Sequence, residues 1–268
     1  MKKQYSASFA YLIVVMMTLV LRVTGASGIY DLVSIDSGYY FTLIVQLLIF
    51  GALPTALYLL TSGRTSNCKI GALYCDFGIK KVGLCDMALS LGIGICMIYM
   101  ATVVSYLWNA VLGAIGFTSS SSKTEYTSVG VLFVELIMTA LLPAIFEEYT
   151  HRGLIFAGYR QFGWKVVVIS AVMFALMHQN VKQTGYTFFD GMVLALLVYY
   201  TGSIFPSMVV HFLNNAVSVL WDYGEYSGGW LSFMDKANAW LYGSLTGYII
   251  GMVLFLLCAL IMIALFYK

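Results

Sequence analysis

Charged residues are scarce in this sequence. Asp, Glu, Lys and Arg make up 10% of its 268 residues, whereas hydrophobic residues make up 61%. A soluble domain typically carries about 25% charged residues, because its surface must be solvated. The low charge excludes an ordinary soluble fold, and the small formal net charge of +2 gives no reason to expect a nucleic-acid partner.

Prolines and cysteines are also few, with 3 and 5 respectively. Cys68 and Cys75 lie in a basic loop without a nearby histidine, and they are spaced too widely for a typical zinc pair. Cys96 and Cys258 lie within apolar runs and are expected to be small core residues. We find no internal repeat and no soluble domain, so the chain is interpreted as one membrane-embedded unit.

Long apolar runs recur along the chain, and each is long enough to cross about 30 Å of hydrocarbon at about 1.5 Å per helical residue. They predict an all-α protein, a polytopic transmembrane bundle of about 7–8 helices that forms a single integral membrane domain over residues 1–268. The first run is expected to be a retained helix and not a cleaved signal peptide. The predicted spans are Ser8–Ala26, Tyr39–Leu60, Val82–Gly116, Ser128–Ile145, Lys165–Met177, Gly191–Phe205, Ser207–Trp221 and Leu241–Tyr267.

The positive charges predict an orientation in the cell membrane. Cytoplasmic loops carry an excess of Lys and Arg. If the spans alternate from a cytoplasmic N-terminus, ten positive residues fall inside or toward the inside and three fall outside, with Arg22 within a span. The ten are Lys2, Lys3, Arg64, Lys69, Lys80, Lys81, Arg152, Arg160, Lys165 and Lys268; the three are Lys123, Lys182 and Lys236. A multi-pass protein with a cytoplasmic N-terminus is therefore predicted.

Glu147 and Glu148 are adjacent carboxylates at the end of an apolar run. On a helix Glu148 and Arg152 stand at positions i and i+4 and can pair, whereas Glu147 points about 100° away. A carboxylate without that countercharge can act as a general base. Pro143 lies just upstream and is expected to bend the helix toward a cavity. The alternative is a charged helix end at the membrane surface.

Two further polar clusters follow in later apolar runs. His178 ends the segment Phe174–His178, and a single histidine of this kind is more often structural than catalytic. His211 and Asn215 stand four residues apart, on one helix face. Two donors that face one way suit an oxyanion hole. Hydrogen bonding between membrane helices would favour the same residues.

The order of these clusters resembles the CPBP family of intramembrane proteases, which includes the CAAX prenyl endopeptidases and the bacterial Abi, or bacteriocin-immunity, proteins. The similar motifs are Glu-Glu-x-x-x-Arg at Glu147–Arg152, Phe-x-x-x-His at Phe174–His178, and His-x-x-x-Asn at His211–Asn215. Supporting context lies at Arg152-Gly-Leu-Ile-Phe, Thr201-Gly-Ser-Ile and Phe77-Gly-Ile-Lys-Lys. The resemblance covers residues 131–220, which are expected to form the catalytic core.

The resemblance implies a hydrolase that cleaves a peptide bond of a membrane-associated protein or peptide. Glu147 would activate water, His178 would hold or polarise it, and His211 with Asn215 would stabilise the oxyanion. Glu148 and Arg152 would be a structural or substrate-orienting pair. The family is described both as metalloproteases and as metal-independent glutamate proteases. We expect no cofactor, with zinc bound by His178 and His211 as the alternative; the His-Glu-x-x-His signature is absent.

Other functions are compatible with parts of the sequence. A non-catalytic immunity or scaffold protein would keep the helices without needing the motifs intact. A transporter with a proton relay would be expected to show repeated halves, which the sequence lacks. Membrane lipid and a peptide or membrane-protein substrate are the expected partners. The bacterial members of the family are more similar to this chain in size and simplicity, which disfavours prenyl-protein processing.

Overall fold

A computed structural model of the chain describes residues 7–26, 37–61, 69–117, 126, 128–227, 236, 239–240 and 243–266. The described part is 90% helical, has no strand and contains nine helices. These are α1 Ala7–Ala26, α2 37–61, α3 Lys69–Asp76, α4 Leu84–Ala114, α5 Val129–Phe162, α6 Lys165–Met177, α7 Val181–Thr201, α8 Phe205–Ser227 and α9 Leu245–Phe266. The prediction of an all-α membrane bundle is confirmed.

Three predicted boundaries are wrong. The interval between the second and third spans contains the short helix α3 and is not a continuous loop. The span predicted at Gly191–Phe205 belongs to α7, which begins at Val181 and ends at Thr201. The first half of α7 carries polar residues, so hydropathy did not predict it as part of a span. Its start is marked by a helix cap, since the Asn180 side chain accepts a hydrogen bond from the Lys182 backbone N–H at 3.1 Å. The fourth span and the acidic motif form one helix, α5.

All three prolines lie at positions where their missing N–H is tolerated. Pro54 and Pro143 lie in the interior of α2 and α5, where proline removes a helical hydrogen bond and its ring clashes with the preceding turn. A wider π-helical segment precedes each of them, over Val45–Ala52 and Leu136–Leu141. Such turns relieve this crowding, and both helices therefore continue through the proline. Pro206 is the second residue of α8, where the N–H would have no partner in the helix.

The centre of the bundle is built around α7, which packs against α6 on one side and against α4 on the other. Gly191 makes the α6 contact possible, since a Cβ atom on it would lie 3.0 Å from the Cα atom of Ala171. On the α4 side, the core residues are Ile93, Met97, Leu194, Leu197 and Val210. The helix α8 packs against α4 and α5, and so closes this group of helices.

Three separate segments meet at one end of the bundle. Gly202 ends α7 in the left-handed conformation, with φ 64°. The following residues then bind the loop after α3, because Ser203 donates to the carbonyl of Lys80 at 2.6 Å and Ile204 donates to the carbonyl of Gly78 at 3.0 Å. Arg160 donates to the carbonyl of Asp76 at 3.3 Å. These contacts fix the loop after α3 against the ends of α5 and α7.

The composition of the helices supports a membrane protein. In the described part of the chain, three helices are long and apolar enough to cross a membrane, at Thr42–Thr61, Leu84–Ala114 and Val129–Phe162. Shorter apolar helices cover Ala7–Val20, Lys165–Met177 and Leu245–Cys258. Lys2, Lys3, Arg64, Lys123 and Lys268, whose side of the membrane was predicted, lie outside the described residues. So does Cys68.

Candidate active site

A cavity of about 380 Å³ lies inside the helix bundle. It is the point where the three polar clusters of the sequence meet, since Glu147, His178, His211 and Asn215 all contribute to its wall. The other described residues that line it are Thr42, Gln46, Met97, Met138, Thr139, Pro143, Phe174, Gln183, Tyr186, Thr187, Asp190, Leu194, Asn214 and Ser218. A cavity with many polar groups among apolar helices is expected to hold water or a polar part of a ligand.

Glu147 is half-buried at the cavity wall, and one of its carboxylate oxygens is held in place. Gln46 on α2 donates a hydrogen bond from Nε2 to Oε1 of Glu147 at 3.1 Å. Gln46 is itself buried, within the π-helical segment of α2. The carboxylate is therefore oriented by a neutral amide donor.

Glu148 lies behind the cavity and is fully buried with Arg152. Its Oε1 accepts a hydrogen bond from Arg152 at 2.8 Å and lies 3.0 Å from Nδ1 of His211. Arg152 also donates to the backbone carbonyl of Gly191 at 3.0 Å. Glu148 thus connects α5 to α7 and α8, and it holds His211 with its other ring nitrogen, Nε2, available on the opposite side of the ring.

The ring of Phe174 packs against three histidines and one arginine. Its ring centroid lies 4.8 Å from that of His178, 5.8 Å from that of His211 and 5.0 Å from that of His151. The Arg152 guanidinium carbon lies 4.4 Å from the same centroid, within range of a cation–π interaction. Phe174 therefore packs against Arg152 on one hand and against both histidines of the cavity on the other, and it limits the positions of both rings.

The hydrogen bonds indicate the tautomer of His178. Its Nδ1 lies 2.9 Å from the carbonyl oxygen of Phe174. Because a carbonyl oxygen only accepts, Nδ1 carries a proton, and Nε2 is the acceptor when the ring has a single proton. Asn215 donates one of its two Nδ2 hydrogens to the carbonyl of Thr139 at 3.2 Å. The amide of Asn215 has a second hydrogen, which a ligand in the cavity can accept.

The short helix α6 explains how His178 and His211 come to line one cavity. Simple alternating spans would have placed His211 nearer one surface than His178. However, α6 has 13 residues, which span about 20 Å, less than the roughly 30 Å of a hydrocarbon core. His178 therefore lies within the bundle at the end of α6, and α7 begins there, after Gln179 with a φ of 48°.

The described side chains do not fit a zinc site. No group of three or more His, Cys, Asp or Glu side chains within the described ranges could hold a metal ion. Nδ1 of His211 is occupied by Glu148, and Nδ1 of His178 by a backbone carbonyl. A catalytic zinc typically needs three protein ligands around an open position.

The cavity residues that were not singled out in the sequence include Gln46, Tyr186 and Asp190. Asp190 is 4% exposed and has an Oδ1 atom without a hydrogen-bond partner among the described residues. A signal for it was present, because Gln183, Thr187 and Asp190 recur at i, i+4 and i+7, which is one face of a helix. Gln46 gave a weaker signal, a single amide in the middle of an apolar run.

The all-helical architecture and the polar cavity define a helical membrane protein with a buried, water-compatible site. A comparison with protein families then indicates which family the chain resembles. Residues 129–217, about one third of the chain, match the family model described as Rce1-like, type II CAAX prenyl endopeptidase Rce1-like. This match supports a CPBP family intramembrane protease. No curated protein and no solved structure was found to match the chain.

The match supports a class of activity in general terms. An Rce1-like domain supports a CAAX-type intramembrane endopeptidase, a hydrolase that is associated with a membrane and acts on a protein or peptide. The matched segment contains Glu147, His178, His211 and Asn215. Their individual roles, the absence of a cofactor, and the resemblance to bacteriocin-immunity proteins stay predictions.

Proposed function

We propose that this chain is an intramembrane endopeptidase in which Glu147 activates the attacking water. The observation that carries the proposal is one cavity lined by Glu147 of α5, by His178 directly after α6, and by His211 and Asn215 of α8. Residues that are up to 68 positions apart in the sequence line one space large enough for a peptide group and a water molecule. A chance set of structural polar residues would be expected to pair with one another instead.

The proposed reaction begins with water in the cavity. Glu147 takes a proton from the water, and the water oxygen attacks the carbonyl carbon of the scissile peptide bond. His178 accepts a hydrogen bond from the same water through Nε2 and so orients it. The protonated Glu147 then gives its proton to the leaving nitrogen, the C–N bond breaks, and a carboxylic acid and an amine are formed.

The oxyanion of the tetrahedral intermediate needs donors that are already in position. Asn215 supplies its second amide hydrogen, and His211 supplies Nε2–H. Glu148 supports this role, because its carboxylate lies against Nδ1 of His211 and pairs with the charge of a ring that carries a proton on both nitrogens. Donors held before the reaction stabilise the developing charge without reorganisation. The Glu148–Arg152 pair therefore acts through His211 and does not touch the reacting atoms.

The same observations support the alternative functions less well. A non-catalytic immunity or scaffold protein gives no reason for a polar cavity with an oriented carboxylate. A zinc-dependent protease would need a third ligand, which the described side chains do not provide. For the substrate, we propose a membrane-associated protein or peptide. Comparing the membrane peptides of cells with and without the gene would identify it.

Asn215→Ala provides the test of this mechanism. Removing one oxyanion donor typically costs about 10²–10³-fold in turnover, so kcat should fall by about that factor while KM changes less. The assay is hydrolysis, by purified full-length protein, of a peptide that accumulates in cells without the gene. Asn109→Ala, at an exposed position outside the cavity, is the matched control. Stoichiometric zinc whose removal and return track activity would contradict the glutamate mechanism.

We also propose that the chain is multi-pass with a cytoplasmic N-terminus. Ser8 at the start of α1 is hydrogen-bonded to Tyr159, and Arg160 lies beside Asp76, which precedes the loop with Lys80 and Lys81. These groups share one end of the bundle, as the charge distribution requires. Cysteine labelling should reach Lys80→Cys from the cytoplasm and Glu225→Cys from outside. Labelling of both from the same side would overturn the orientation.

A further inference from the structure

The cavity contains a carboxylate that the proposed mechanism does not use. Asp190 lines the cavity and is 4% exposed, yet its Oδ1 atom has no hydrogen-bond partner in the described part of the chain. Buried carboxylates are normally paired, because an uncompensated charge in a poorly solvated place is costly. Asp190 therefore either destabilises the fold or has a hydrogen-bond partner that is supplied by a bound ligand.

Negative charge exceeds positive charge around the cavity. Three carboxylates lie in or behind its wall, namely Glu147, Glu148 and Asp190. The nearby cation is Arg152, whose guanidinium donates to Glu148 and to the Gly191 carbonyl. No lysine or arginine is among the described residues that line the cavity. His211 lies against Glu148 and so offsets that carboxylate first. The cavity thus favours a ligand that brings a positive charge.

The surroundings of Asp190 suit a cation on a long aliphatic stem. Tyr186 stands one helical turn before Asp190 and lines the same cavity, so an aromatic face accompanies the carboxylate. Met97 and Leu194 provide apolar wall nearby. A lysine side chain matches this combination, since its methylene groups pack against apolar surface while its ammonium group seeks an anion.

We propose that Asp190 is a specificity-determining residue, which binds a basic side chain of the substrate close to the scissile bond. The inference rests on the proposed function and adds to it a substrate class, namely membrane-associated peptides with a lysine or arginine near the cleavage site. The ammonium group would donate to Asp190 Oδ1, and the peptide group beside it would lie toward Glu147 and Asn215. Asp190 would act on binding and would not take part in bond cleavage.

The competing explanation is that Asp190 holds a proton and donates a hydrogen bond to a substrate carbonyl. The two explanations differ in their dependence on substrate charge. A neutral Asp190 would bind peptides with and without a basic side chain equally well. A charged Asp190 would favour the basic peptide and would lose that preference when it is replaced by asparagine, which keeps the shape and removes the charge.

Peptide binding tests the proposal without requiring catalysis. The probe is a short dansyl-labelled leucine–alanine peptide with one central lysine, and its partner carries Nε-acetyllysine, which has the same stem without the charge. Binding to full-length Glu147→Gln protein in lipid nanodiscs is measured by fluorescence, because this variant should not cut the probe. The lysine peptide should bind about tenfold more tightly, the effect of one hydrogen bond to a charged group.

The matched variants are Asp190→Asn and Asp86→Asn in the same background. Asp86 is an exposed aspartate at the start of α4, so it controls for the loss of one carboxylate elsewhere. Asp190→Asn should reduce the preference for lysine to about twofold or less, and Asp86→Asn should leave it unchanged. Equal binding of the two peptides to the parent protein, or an unchanged preference in Asp190→Asn, would overturn the proposal.

Chemical cross-linking keeps the proposal testable if Asp190→Asn fails to fold. A hydrophobic carbodiimide condenses the lysine amine with a carboxyl group to form an amide and takes up the released water as a urea. With the wild-type chain, mass spectrometry should locate the amide at Asp190. Attachment elsewhere alone would contradict the inference. Failure of the proposed function would instead appear as a wild-type protein that binds peptides but hydrolyses none.

Discussion

Glu147→Gln should abolish peptide hydrolysis and leave the protein folded. The substitution keeps the shape of the side chain, and glutamine can still bond with the Gln46 amide, which lies 3.1 Å from Oε1 of Glu147. What it removes is the ability to accept a proton from water. General-base catalysis typically contributes about 10²–10⁴-fold to the rate, so kcat should fall by at least that range. Turnover of the identified peptide by purified protein is the measurement.

Two comparisons make this result specific. Glu225→Gln makes the same chemical change at an exposed position on α8 and should leave turnover unaltered. Melting temperature and elution profile should be the same for both variants and the wild type, because Glu147 is half-buried and forms no ion pair with another residue of the described part of the chain. If Glu147→Gln protein retains near-normal turnover, then Glu147 is not the base and the mechanism is wrong.

Arg152→Ala should destabilise the protein and reduce its activity. Arg152 is fully buried, donates to Glu148 at 2.8 Å and to the Gly191 carbonyl at 3.0 Å, and covers the ring of Phe174. Its removal leaves a buried carboxylate without its cation, which typically costs about 3–5 kcal/mol. Activity should fall as well, because Glu148 would no longer hold His211 in a defined place.

Arg160→Ala is the matched control for this experiment. Arg160 lies on the same helix but is exposed, with a single 3.3 Å hydrogen bond to the carbonyl of Asp76. Its loss should change the free energy of unfolding by about 0.5 kcal/mol or less. Thermal unfolding in detergent, followed by fluorescence, gives both shifts. Equal shifts for the two variants would show that the buried pair does not stabilise the bundle.

The sequence was sufficient to predict the ends of those helices that are apolar on all sides, whether they face lipid or the core. Lys165–Met177 is a helix with the predicted ends, because a continuous apolar run leaves little choice of boundary. The helical spacing of Glu148 and Arg152 likewise predicted their contact, since residues four apart on a helix are neighbours whatever surrounds them. Both inferences depend on local geometry alone.

The remaining features depend on how distant segments pack. The helix α7 was placed ten residues too late because its first half carries polar residues such as Gln183 and Asp190, which face the cavity and not lipid. The contact of Glu148 with His211 joins residues 63 positions apart, and no periodicity in the sequence predicts it. The short length of α6, which brings His178 to His211, becomes informative only once α7 is known to begin at Val181.

The hydrogen bond from Gln46 to Glu147 has a consequence for where this protein could be divided. Gln46, Thr42 and Met97 form part of the cavity wall, and all three lie outside residues 129–217, the segment that matches the family model. A fragment cut to the matched segment would contain every proposed catalytic side chain and would still leave Glu147 without its amide neighbour and the cavity open along α2 and α4. Two proteins with identical motifs could therefore differ in the substrates they admit, since helices outside the matched segment contribute part of the cavity wall.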